Sequence, residues 1–114
     1  CQELATCMQY DLAVVTVLVN NGMYGTIRMH QERHYPGRTV GTTLVNPDFV
    51  KLAESFGAHG ERVERTEDFP AAFARALASP SGAVLDLDIS AEAVTPRQTL
   101  SAIRAAALAA REPA

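Results

Sequence analysis

No apolar run in this chain approaches the roughly 20 residues that a membrane-spanning helix needs. Its most apolar stretch, LAVVTVLV from Leu12 to Val19, is far shorter. The residues carry no secretory-leader pattern, so a cytoplasmic protein with no membrane partner is expected. Cysteine is scarce. Cys1 and Cys7 form neither a CxxC pair nor a framework of bridges, and they read as reduced, partly buried thiols. There is no basic stripe either. The ten Lys and Arg residues are dispersed and the net charge is -3, which argues against a nucleic-acid partner. At 114 residues the chain has material for one domain's core and not two. It opens on Cys1 without an initiator Met, and Gln2 to Met8 already reads as helix. The expectation is a single domain over 1–114 that is an N-terminally truncated piece of a larger, multidomain polypeptide.

The chain's strongest signal is the passage from LAVVTVLV into Asn20, Asn21 and then GMYGTIR. A continuous Val/Leu run that stops at paired amides predicts a parallel strand covered on both faces. Ligands in such sheets bind beyond the carboxyl ends of the strands, which marks Asn20 and Asn21 as candidate site residues. From Tyr24 to about Glu32 a helix is expected. HYPGRTVGTTLV then has little periodicity and reads as a long loop, either a functional lid or a solvated connector.

Asn46-Pro47-Asp48 predicts a helix start, with Asn46 as the cap and Pro47 at the first helical position. Phe49, Leu52, Ala53 and Phe56 form its buried stripe, and Gly57 stops it. A short strand follows near Glu61 to Glu64. Thr66, Glu67 and Asp68 open a further helix with Phe69, Phe73 and Leu77 on its apolar side. AVLDLDI, from Ala83 to Ile89, alternates; Asp86 and Asp88 are explained by an edge strand with one wet face, against a paired-carboxylate catalytic reading. An alanine-rich helix from Thr99 to Arg111 packs on a neighbour. Helix and strand alternate throughout, so the predicted class is α/β: a three-layer, Rossmann-like domain with a mostly parallel sheet flanked by helices.

The Asn20-Asn21 turn admits two readings from its residues. A carboxamide offers Mg²⁺ a hard oxygen without adding negative charge beside a diphosphate, and a following helix N-terminus suits an anion. Equally, Asn-Asn-Gly is ordinary turn chemistry.

The run QELATCMQYDLAVVTVLVNNGMYGTIRMHQERHYPGR, continued by NPDFVKLAESFGAHGERV and AVLDLDI, resembles the pyrophosphate-binding domain of thiamine-diphosphate-dependent enzymes. The branch is that of acetolactate synthase and benzoylformate decarboxylase. In that family a Gly-Asp-Gly opens the metal motif and Asn-Asn closes it; the closing half matches Asn20-Asn21, while no Gly-Asp-Gly occurs in these residues. The resemblance implies thiamine diphosphate and Mg²⁺ as cofactors, with FAD possible in the parent enzyme. It implies that Asn21 binds Mg²⁺ through its side chain and Met23 through its backbone carbonyl, while Asn20 braces the turn. Gly22 and Gly25 let the backbone approach the diphosphate, with Tyr24 and Ile27 toward the cofactor.

By the same resemblance, His30, Gln31 and His34 line the substrate entrance. Acetolactate synthases proper tend to carry Trp where His30 aligns, and this chain has none. No catalytic residue falls in these segments, since the glutamate that activates the cofactor belongs to another domain. The activity implied is decarboxylation or carboligation of a 2-oxo acid by a lyase or transferase, in a homodimer or homotetramer with the rest of the enzyme chain. The fragment alone is expected to be inactive. A stand-alone, non-catalytic α/β binding module is the alternative, because the metal aspartate is missing. A transition-metal site at His30 and His34 is a third; it rests on i,i+4 spacing, with Pro36 close behind and no third ligand evident.

Overall fold

The computed structural model describes residues 1–111. Along the chain run α1 (Glu3–Gln9), β1 (Val15–Asn20), α2 (Gly25–His34), α3 (Phe49–Ser55), β2 (His59–Val63), α4 (Phe69–Ala78), β3 (Ala83–Asp88) and α5 (Leu100–Ala109). These elements divide into two compact units, one of Cys1–Asn20 and Asn46–Asp88, the other of Asn21–Val45 and the chain from Ile89 onward.

The first unit is a three-stranded parallel sheet in the order β1-β3-β2. Alternation along β3 sends Val84 to one face and Leu85 to the other. On the Leu85 face, Val63, Ala72, Ala76 and Ala83 form a buried cluster beneath α4, with Phe69 and Phe73 stacked against each other at 5.5 Å. On the Val84 face, Ala53 of α3 and Ala58 are joined by Leu4 and Met8 of α1. Helices therefore cover both faces, and the three-layer, Rossmann-like α/β class holds. Close packing of α3 on β2 depends on Gly60, where a Cβ would lie 2.5 Å from the Val50 carbonyl oxygen.

Four details depart from the sequence expectations. β3, read as an edge, is the central strand, so Asp86 has a neighbour on each side and is fully buried. β1, read as covered on both faces, is itself an edge strand and has no fully buried residue; Val17 and Val19 are 40% and 62% exposed. α3 is capped by Asp48, whose side chain accepts from the Lys51 N–H at 3.2 Å, and not by Asn46. The β-branching-free alanines Ala72 and Ala76 are the buried positions of α4, whereas Leu77 is 64% exposed. A single 3₁₀ turn, Thr66–Asp68, leads into α4 as the Thr-Glu-Asp signal predicts.

In the second unit α2 packs on α5, whose Leu100 and Ile103 are buried. Thr99 caps α5 by accepting from the Ala102 N–H at 3.1 Å. Between the two helices sits a wholly buried carboxylate, Glu32, paired with the Arg104 guanidinium and accepting from the Gly37 N–H at 2.8 Å. The guanidinium beside it, more than the loop N–H, holds the Glu32 carboxyl below its ordinary pKa against the opposing pull of burial. A charged residue of this kind stays buried only because it is paired.

Candidate functional site

Asn20 closes β1 in register with Asp88 of β3. Its Nδ2 donates to Asp86 Oδ1 at 3.1 Å, and its Oδ1 accepts from Asn46 Nδ2 at 2.9 Å. Asp86 is held from the other side by Arg62, whose Nε and Nη2 donate to Oδ2 at 3.2 and 3.0 Å. That carboxylate raises the Arg62 pKa above its ordinary value. The strand end is thus fixed by a line of polar groups running Asn46, Asn20, Asp86, Arg62. Of these, the sequence singles out only Asn20 as a candidate site residue. Arg62 and Asp86 are partners on adjacent strands, and no local pattern reports such a pair.

The turn itself belongs to the second unit. Asn21 Oδ1 accepts from the Met23 N–H at 3.2 Å, an Asx turn. Gly22 has φ +66°, in the left-handed region that glycine enters at no steric cost. Met23 pairs with Thr43 in an isolated antiparallel bridge, flanked by Tyr24 N–H to the Thr42 carbonyl and Leu44 N–H to the Gly22 carbonyl, both at 2.9 Å. With the hydrogen bonds on its neighbours, Met23 is the non-bonded member of the ladder, and its own N–H and C=O turn away from Thr43. Asn21 Oδ1 is thus held at the Met23 N–H, while the Met23 carbonyl is directed away from Thr43.

Gly25 begins α2, and a Cβ there would stand 2.7 Å from Asn21 Nδ2. The missing side chain is what lets the Asn21 carboxamide lie across the helix start. The N-cap residue of α2, Tyr24, makes no side-chain capping hydrogen bond. Tyr24 and Ile27 are 53% and 54% exposed, so both present apolar surface beside this turn.

Further along α2, His30 and His34 stack their rings at 6.3 Å, 6° from parallel. With Ile27, Gln31, Tyr35 and Arg111 they line an open surface cavity of about 640 Å³. Gln31 is tied elsewhere, its Nε2 donating to the Val40 carbonyl at 2.8 Å and its Oε1 accepting from the Val40 N–H at 3.3 Å. Among the described residues no group of three or more His, Cys, Asp or Glu could hold a metal, so the His30–His34 pair gains no third ligand of that kind.

A parallel sheet covered by helices, with an amide-rich turn after a strand end, defines a Rossmann-like α/β domain. The family model described as thiamine pyrophosphate enzyme, C-terminal TPP binding domain, matches residues 1–87, and the chain belongs to that family. It is 38% identical over 90 residues, 77% of its length, to the acetolactate synthase large subunit of Parasynechococcus marenigrum. To the acetolactate synthase of Mycobacterium bovis it is 46% identical over 72 residues, 59% of its length. To the large subunit of acetolactate synthase isozyme 2 of Escherichia coli it is 36% identical over 89 residues, 77% of its length. The matched region spans 15%, 12% and 16% of those relatives respectively. The chain is a thiamine-diphosphate-binding domain of the acetolactate-synthase-like kind. Among the described residues no helix is long and apolar enough to cross a membrane.

Proposed function

We propose that the turn from Asn21 to Gly25 holds the diphosphate of thiamine diphosphate through Mg²⁺, with Asn21 Oδ1 and the Met23 carbonyl as this chain's metal ligands. The reading is supported by the Asx turn, which holds Asn21 Oδ1 at the Met23 N–H, and by the Met23–Thr43 bridge, which turns the Met23 carbonyl away from its partner strand. Both are hard, neutral donors of the type Mg²⁺ takes alongside phosphate and water. The donor set therefore fits the ion.

Each neighbouring residue has a task in this arrangement. Asn20 holds the end of β1. Gly22 supplies the reversed backbone and Gly25 the space for the Asn21 carboxamide. The first-turn N–H groups of α2, to which the N-cap Tyr24 gives no side-chain hydrogen bond, meet the negative charge of the diphosphate. Tyr24 and Ile27 offer apolar surface to the cofactor, and His30 and His34 offer hydrogen-bonding groups to an entering 2-oxo acid. When bound, the cofactor supplies the electron sink for decarboxylation of a 2-oxo acid. The chain's own contribution is to bind and orient it.

The chain's relatives are named acetolactate synthases, which supports reading the polypeptide of which this domain forms part as an acetolactate-synthase-like enzyme; we read its reaction as decarboxylation or carboligation of a 2-oxo acid. We read the polypeptide as a cytoplasmic homo-oligomer. Calorimetric titration of the whole polypeptide with thiamine diphosphate, with and without Mg²⁺, tests this. Asn21→Ala is expected to weaken Mg²⁺-dependent binding at least about tenfold, the lower end of what losing even an outer partner costs at a metal site. Wild-type protein that binds no thiamine diphosphate at any Mg²⁺ concentration would overturn the reading and favour a non-catalytic module.

A further inference from the structure

The loop that follows α2, expected to be either a lid or a connector, is fastened along its length to one face of that helix. Glu32 accepts from the Gly37 N–H, and Gln31 clamps Val40 through both its N–H and its carbonyl. Arg28 Nε donates to the Thr42 hydroxyl, and Arg28 Nη2 donates to the Thr43 hydroxyl at 2.8 Å. Arg28, Gln31 and Glu32 stand at i, i+3 and i+4, so a single helix face does the holding. Thr42 is the centre of this arrangement. It is 2% exposed, its hydroxyl lies between Arg28 Nε and Gln31 Oε1, and its carbonyl accepts the Tyr24 N–H at 2.9 Å. Side chains of α2 thus reach the ligand turn indirectly, through the backbone of residue 42.

We propose that Arg28 and Thr42 are positioning residues for the metal site: they pin the loop so that the Thr42 and Leu44 backbone fixes the turn at Gly22 to Tyr24, and with it the direction of the Met23 carbonyl. Resting on the reading that Asn21 and Met23 hold Mg²⁺, this adds what aims the carbonyl. The hydroxyl of Thr42 both accepts and donates, so Thr42→Val, which keeps the shape, removes both links at once. Thr42→Ser keeps them.

The test combines amide hydrogen exchange and cofactor titration on the whole polypeptide. Without ligand, Thr42→Val is expected to raise exchange at Tyr24 and Leu44 at least about tenfold while the amides of β3 keep wild-type protection. With thiamine diphosphate, its apparent Mg²⁺ affinity is expected to fall about tenfold or more, and Thr42→Ser to restore both values. Unchanged exchange at Tyr24 in Thr42→Val overturns the proposal whether or not the domain binds metal. Raised exchange with unchanged Mg²⁺ affinity, in a protein where Asn21→Ala does lose affinity, also overturns it. If Asn21→Ala loses nothing, the metal reading has failed instead. Should Thr42→Val not fold, Arg28→Met removes the same hydrogen bond from the partly exposed side and is measured in the same way.

Discussion

Arg62 donates twice to the same oxygen of the fully buried Asp86 across neighbouring parallel strands, while Asn20 donates to the other oxygen from the far strand. One carboxylate thereby ties all three strands together at the end where the chain leaves β1 for the Asn21–Gly25 turn. Asp86→Ala removes the acceptor for both partners and strands the Asn20 amide. It is expected to cost about 2 kcal/mol, within the range for hydrogen bonds to a charged group, read from urea unfolding.

Gly25 separates binding from stability. A methyl group there would meet the end of the Asn21 side chain at 2.7 Å and not backbone, so the carboxamide moves and the fold survives. Gly25→Ala is expected to leave the thermal midpoint within a few degrees of wild type. Mg²⁺-dependent retention of thiamine diphosphate is expected to fall to the level of Asn21→Ala. Equal retention in wild type and variant would show that the carboxamide position does not matter.

Gly60 gives the opposite outcome. Its added Cβ would press on the Val50 carbonyl oxygen at 2.5 Å and the Val50 Cα at 3.0 Å, which are backbone atoms of a packed helix. Gly60→Ala is expected to destabilise by about 1–3 kcal/mol, as overpacking does. Differential scanning calorimetry would show the midpoint falling.

Acid sensitivity is expected to centre on Glu61. The Arg75 guanidinium, and to a lesser extent His59, hold its carboxyl down at about 2, against an ordinary 4.5. A folded-state value below the unfolded one means a stabilising contribution that is complete above about 4.5 and lost as pH falls toward 2. In urea midpoints measured from pH 7 to pH 3, Glu61→Gln is expected to flatten the acid limb. A limb as steep as that of wild type would place the acid sensitivity on another carboxylate.

The strands, the turn and the α/β class were legible in the sequence because each has a local signature. LAVVTVLV ending at Asn20 is a strand and a stop, and AVLDLDI is a strand whichever neighbours it has. What the pattern could not report is which neighbours it has. Alternating Asp86 and Asp88 look like a wet face, and it takes the position of β3 between two strands to bring Arg62 and Asn20 to Asp86. Glu32 hid for the same reason, since its partner Arg104 arrives from α5. The cap of α3 failed differently. Asn46 and Asp48 are both good caps, and Asn46 is drawn instead to Asn20. At the candidate site, Asn20 to Gly25 were readable as a turn, whereas the part played by Thr42 depends on a hydroxyl lying between two side chains of α2.

The position of β1 has a practical consequence. A six-residue strand of mostly β-branched residues at the rim of the sheet, with Val17 and Val19 open to water, offers an adhesive face to any other extended chain. Preparations of this segment by itself will tend to aggregate through that strand, and a lysine at position 17 or 19 is the gatekeeper that would keep them monodisperse.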